Sequence, residues 1–180
     1  MVFENVIPEK STKPIAQTMT TSEYNSCADQ YSDGVYRFIL KNIKDRDTAQ
    51  DIVQESYVRM WERVKDISYD KARAYLFTTA YHTMIDHIRK NQRLSSIDDS
   101  YGEILDEKPG TYNDLKEVIN EAVAKLPEIQ RSVIMLRDYE GYSYEEIGDI
   151  LKLSESQVKV YIFRARTYLK QYIGSLDLVL

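Results

Sequence analysis

Ser156, Gln157, Lys159, Val160 and Arg164 recur at intervals that place them on one side of a single helix. Phe163, Thr167 and Lys170 continue that side, while Val158, Ile162, Ala165 and Leu169 line the other, with Tyr161 beside them. Small polar side chains at a helix start reach base edges in a DNA major groove, and Lys and Arg further along hold phosphates. From Ser156 to Leu176 there are four bases and no acid. The solvated face of an ordinary bundle has the same pattern, so this stretch alone leaves both readings open. Phe163 either meets a thymine methyl or packs under another segment.

A second stretch mixes cations with rings. Lys71, Arg73, Arg89, Lys90 and Arg93 share residues 71–93 with Tyr75, Phe77, Tyr81 and His82, against one acid, Asp86. Rings that stack on unpaired bases, with cations along the phosphates, suit a single strand at about 1–3 kcal/mol per base. The plainer alternative makes Phe77 and Tyr81 core residues.

No catalytic constellation accompanies these stretches. His82 and His87 stand five apart with no third ligand, which does not build a metal site. The six glycines are scattered and make no phosphate-cradling loop. Neither an enzyme nor a cofactor is expected. The lone Cys27 excludes an internal disulfide and reads as a small helix residue of a protein in a reducing cytoplasm. No apolar run approaches the roughly 20 residues of a membrane span, and none is expected to insert.

The elements that position these residues are all helical. Thr20 to Glu23 has capping-box spacing before a helix whose core stripe is Tyr24, Cys27, Ala28, Tyr31, Val35, Phe38 and Ile39, with Gly34 a point of weakness. Asp45 or Asp47 caps a second helix with the stripe Ala49, Ile52, Val53, Tyr57, Met60, Trp61 and Val64. Asp51, Gln54, Glu55, Val58 and Glu62 fall opposite. Asp70 is expected to cap a third helix, from about Lys71 to Arg93. Further on, Asp114 to Glu117, Ser143 to Glu146 and Ser154 to Gln157 repeat the capping pattern. Pro127 divides two helices and Gly141 stops one. The last two caps, eleven residues apart, give helix–turn–helix spacing.

Charge and composition divide the chain. The formal net charge is −5, and residues 94–114 hold six acids against one base. The folded parts are therefore near neutral, and the local field rather than the total governs nucleic-acid binding. The expected architecture is all-α: a flexible N-terminal tail (1–22), a helical domain (23–93), a flexible acidic linker (94–114) and a helix–turn–helix domain (115–180). Compact and splayed arrangements of the two domains both satisfy the pattern.

Three stretches together resemble one family, the extracytoplasmic-function (ECF) class of bacterial RNA polymerase sigma factors. "RDTAQDIVQESYVRMWERV" is similar to its core-polymerase-binding helix, "ARAYLFTTAYHTMIDHIRKNQR" to its promoter-melting and −10-reading segment, and "LPEIQRSVIMLRDYEGYSYEEIGDILKLSESQVKVYIFRARTYL" to its −35-reading domain. The resemblance implies that Asp51, Gln54, Glu55 and Arg59 meet the clamp helices of the polymerase β′ subunit. It implies that the loop from Lys65 to Asp70 helps pocket a flipped −10 base, and that Arg73, Tyr75, Thr78, Thr79 and His82 border that strand. Ser156, Gln157, Lys159, Val160 and Arg164 would face the −35 duplex. The implied partners are core RNA polymerase (β′ clamp helices and β flap), promoter DNA and an anti-sigma factor, with the free chain a monomer.

The chain departs from the family pattern at Lys152, where many members have Gly in the turn. It departs also at Val160-Tyr161, at His82 where Asn is frequent, and at Tyr75 where Trp is frequent. Two other readings use the same residues: a dimeric helix–turn–helix regulator, and an all-helical adaptor docking through the Asp51–Glu55 face. Charge reversal at Lys159 and Arg164 separates the adaptor, which should lose nothing.

Overall fold

The computed structural model describes residues 18–95 and 115–176. It is helical throughout, with no strand among the described residues. Most of the expected tail (1–17) and most of the expected linker (96–114), with Asp114, lie outside them.

Helix α1 (Thr21–Ile43) starts where the capping box demands. The Glu23 N–H donates to Thr20 Oγ1 at 3.2 Å and the Thr20 N–H to Glu23 Oε2 at 2.7 Å. Lys44 ends the helix in the left-handed conformation, φ 63°. Asp45 then caps α2 (Arg46–Glu62), accepting from the Thr48 N–H at 2.8 Å. Helix α3 spans Tyr69–Ser95. Asp70 therefore lies in its first turn instead of preceding it, and its side chain is held below the usual carboxyl range chiefly by its hydrogen bond to Ser68. Cys27, Phe38, Ile39, Ala49, Ile52, Met60, Leu76 and Met84 are buried among these three helices.

Three expectations change here. Met19, within the expected tail, is buried, and its N–H donates to Ile67 O at 3.1 Å, strapping residues 18–20 to the α2–α3 loop. Gly34 does not break α1, which runs straight through it. Trp61 leaves the core stripe and is 46% exposed. A helix packed between two neighbours buries a narrower stripe than hydrophobicity suggests, and in α2 it is Ala49, Ile52, Ser56 and Met60. Ser56 is accommodated because its hydroxyl donates to Ile52 O at 2.7 Å.

The second half comprises α4 (Leu115–Ala124), α5 (Glu128–Ile134), a π-helical turn (Met135–Tyr139), α6 (Tyr144–Leu151) and α7 (Glu155–Leu176). Ser143 and Glu146 make a full capping box at α6. Lys152 closes α6 in the left-handed conformation, φ 58° and ψ 46°. The turn is thus made without a glycine, at a backbone cost of about 1–2 kcal/mol. Space for the turn comes from Gly148 instead: a Cβ there would lie 2.7 Å from Leu153 O.

The two halves pack on each other. The Tyr142 ring meets Phe77 edge-on, centroids 5.3 Å apart, and both are buried. The Arg131 guanidinium donates to Lys41 O (3.0 Å), Asn42 O (3.2 Å) and Leu126 O (2.8 Å). Two of these carbonyls belong to the last turn of α1, where the helix dipole favours a cation. Ser132 Oγ adds a bond to Asn42 Oδ1 at 3.2 Å.

Candidate polymerase and nucleic-acid interfaces

The first candidate surface is the outer side of α2. Asp51, Gln54, Glu55 and Arg59 are all exposed. Glu55 and Arg59, four residues apart, pair with each other, so part of this charge is neutralised within the helix. Val58 (56% exposed) and Trp61 adjoin them. The Trp61 ring leans edge-on against Tyr24, with centroids 4.9 Å apart. Exposed aromatic and aliphatic side chains beside acids suit a protein partner better than a nucleic acid.

The second surface is a groove between α2 and α3. Tyr75, Thr78, Thr79 and His82 line one cavity of about 430 Å³. Its other wall is Arg59, Glu62 and Arg63. Arg59 therefore serves the outer face and the groove together. Arg63 was missed in the sequence reading; its place just past the end of α2 was the available signal. The Tyr75 hydroxyl donates to Arg59 O at 3.4 Å, which orients the ring across the cleft. His82 Nε2 is buried with no hydrogen-bond partner among the described residues. A ring nitrogen so placed is ready to donate to, or accept from, a group entering the groove.

Two placements on α3 bear on the groove. Phe77 and Tyr81 are buried core residues, packed near Phe38 at 5.7 and 6.4 Å between centroids. They are not a stacking platform; a helix inside a bundle spends its large rings on the interior. Arg73 does not join the groove. Its guanidinium turns to the second half, 4.4 Å over the Tyr142 ring and 3.2 Å from Glu140 Oε2.

The third surface is α7. Val158, Ile162 and Ala165 are buried, and Ser156, Gln157, Lys159, Val160, Phe163, Arg164, Thr167 and Lys170 are all exposed. Phe163, at 71% exposure, packs under nothing. Gln157 is partly committed: its side-chain oxygen accepts from the Ser154 N–H at 2.9 Å, leaving its amide N–H groups as the outward function. Lys159 pairs with Glu155 at 2.6 Å, a hydrogen bond that raises its pKa, and lies 5.8 Å over the Tyr144 ring. Arg166 is tied to Asp138 in a bidentate pair, so it fastens α7 to the π-helical turn. Arg164 and Lys170 make no ion pair among the described residues. Tyr144, Lys159, Phe163, Arg166 and Lys170 border a shallow, cationic depression of about 460 Å³.

Among the described residues no group of His, Cys, Asp and Glu could hold a metal ion, and no helix is long and apolar enough to cross a membrane.

Known proteins share this arrangement. Residues 27–94 match the Sigma-70 region 2 family and residues 116–169 match Sigma-70, region 4. The ECF RNA polymerase sigma factor SigM of Bacillus subtilis is 31% identical over 144 residues, 78% of this chain and 88% of that protein. Sigma factor SigV of the same organism is 28% identical, over 85% of this chain and 92% of its own. The fold is shared with the sigma factor RpoE of Bartonella quintana, solved with the anti-sigma factor NepR: TM-score 0.73, 22% identity, 86% of this chain and 98% of that one. Two helical regions in this order define a sigma-70-type transcription factor. Within that class the chain belongs to the ECF RNA polymerase sigma factors, and its function is promoter-specific transcription initiation through RNA polymerase.

Proposed function

We propose that the three surfaces divide the work of initiation. The α2 face, with Asp51, Gln54, Glu55 and Arg59, docks on the clamp helices of the polymerase β′ subunit. Val58 and Trp61 supply its desolvated centre. The groove of Tyr75, Thr78, Thr79 and His82 takes the melted −10 strand, Arg73 borders that strand once its contacts to Glu140 and Tyr142 are released, and the loop from Lys65 to Asp70 pockets a flipped base. The cost of flipping, a few kcal/mol, is offset by stacking and hydrogen bonds in the cleft. Helix α7 enters the −35 major groove, where Ser156, Gln157 and Val160 face base edges while Lys159 and Arg164 hold phosphates. The division into domains 23–93 and 115–180 follows the same plan, with the β flap meeting the second. An anti-sigma factor is the proposed inhibitor, by likeness to the NepR-bound relative.

One observation carries this reading: four of the five residues expected at the −10 strand, Tyr75, Thr78, Thr79 and His82, line one groove, while those expected at −35 share one exposed face of a capped helix–turn–helix. The test is transcription with purified core polymerase from a promoter selected out of random DNA by the reconstituted holoenzyme. The wild type should start transcripts at one position. Lys159→Glu with Arg164→Glu should reduce them about tenfold or more by removing phosphate contacts. Glu55→Lys should weaken core binding without loss of helicity. Tight, sequence-specific binding to duplex DNA without polymerase would overturn the reading.

A further inference from the structure

Glu140 occupies an unusual place. Its carboxylate, 9% exposed, projects from the end of the π-helical turn onto α1 and α3. A Cβ on Gly34 would stand 2.9 Å from its Oε2, so a methyl there would push the carboxylate aside. Arg73 reaches Oε2 at 3.2 Å and also donates to Glu140 O. Arg37, with its side chain 58% exposed, stands 3.6 Å from Oε1. Oε1 nevertheless has no hydrogen-bond partner. Half of this buried carboxylate is thus unsatisfied, and a charge held that way gains little over a solvated one.

The site itself is better than its occupant. Two arginines converge on one anion, and a guanidinium matches the paired oxygens of a phosphate as well as those of a carboxylate. We propose that Arg37 and Arg73 form a binding site for a backbone phosphate of single-stranded promoter DNA, and that Glu140 is its internal occupant. When the two halves separate, Glu140 leaves with the second half and the arginines are exposed to the strand. This rests on the function proposed above, from which it takes the strand and its course past Arg73. Reach requires the separation. Elements at −10 and −35 lie about 25 base pairs, or about 85 Å, apart at about 3.4 Å per pair. A compact chain of this length has a radius of gyration of about 16 Å. The closed molecule therefore cannot serve both elements, and its closed state holds the strand site shut.

The experiment uses the full-length chain without polymerase and a short, fluorescent, degenerate single-stranded DNA, because a phosphate contact needs no particular sequence. Glu140→Gln keeps shape and removes charge; Gly34→Ala displaces the carboxylate sterically. Both should bind the strand roughly tenfold more tightly than the wild type, the scale of one charge-assisted contact. Adding Arg37→Ala to Glu140→Gln should cancel most of the gain and lower the salt slope of log affinity by about 0.7. Unchanged affinity in both single variants, or a gain that survives Arg37→Ala, would overturn the proposal. Promoter-directed transcription by the wild type is read separately. Its absence beside an intact gain would remove the assigned function and leave the phosphate site standing.

Discussion

The two halves of this molecule display their charged residues in opposite ways. In α4–α7 the cations of α7 are all exposed and any pairing stays within that half, Lys159 with Glu155 and Arg166 with Asp138, on a helix started by Ser154 and Gln157. In α1–α3 the cations are entangled. Arg59 is shared between Glu55 and a groove, and Arg73 is drawn across to the other half by Glu140 and Tyr142. The difference follows from what each helix packs on. Helix α7 has one buried side and one free side. Both helices have three neighbours, but α7 takes all of its own, α4, α5 and α6, from its own half, whereas α3 is covered by α1 and α2 and also by α6 of the other half, whose Glu140 draws Arg73 across.

The comparison breaks most readily at Phe77, which joins the halves through Phe38 and Tyr142. Phe77→Ala should cost about 3–5 kcal/mol, whereas Trp61→Ala, on the outer face of α2, should cost about 1 kcal/mol or less. Urea denaturation of both variants checks this. Equal costs would mean that Trp61 belongs to the core after all.

Gly148→Ala comes next. Its methyl meets the Leu153 carbonyl in the helix–turn–helix, and the shift needed should cost about 1–3 kcal/mol. Thermal unfolding should show the loss, and −35-dependent transcription should fall with it, because α7 is re-aimed. Lys152→Gly should act in the other direction, by about 0.5–1 kcal/mol, since glycine adopts φ 58° without a Cβ penalty. A lower melting temperature for this variant would show that the lysine side chain contributes more than the backbone strain removes.

The smallest effect is electrostatic. Bonding to Ser143 at the start of α6, first to its N–H and then to its hydroxyl, holds the Glu146 carboxyl below the usual range. A depressed folded-state pKa adds stability above the unfolded value of about 4.3, lost as pH falls through the folded one. Glu146→Gln should keep the cap and flatten that acid limb, by no more than about 0.5 kcal/mol at so exposed a site. Stability measured from neutral pH downward reads the change in slope; an unchanged slope would place the acid dependence elsewhere.

Helix starts were legible because capping is local: Thr20 with Glu23, Asp45, and Ser143 with Glu146 lie three residues from their partners. The outer face of α7 was legible because its residues stay exposed while the apolar stripe alone meets the neighbouring helices. Met19, Trp61 and Gly34 were not. Each depends on a residue far away in the chain, Ile67, Tyr24 and Glu140 respectively, or on how wide a neighbouring helix happens to be. The π-helical turn at Met135–Tyr139 left no periodic trace, since one extra residue per turn is lost among hydrophobic neighbours.

By itself the sequence determined the all-helical class, the order of the helices, their caps and the free face of the last one, because each is settled by interactions within a few residues. Only the tertiary structure decided that Phe77 and Tyr81 are interior, that Tyr75, Thr78, Thr79 and His82 share a groove, and that Arg73 faces Glu140. Those outcomes turn on which surfaces of distant segments meet, and burial and charge pairing act across space with no signature in the spacing of residues along the chain.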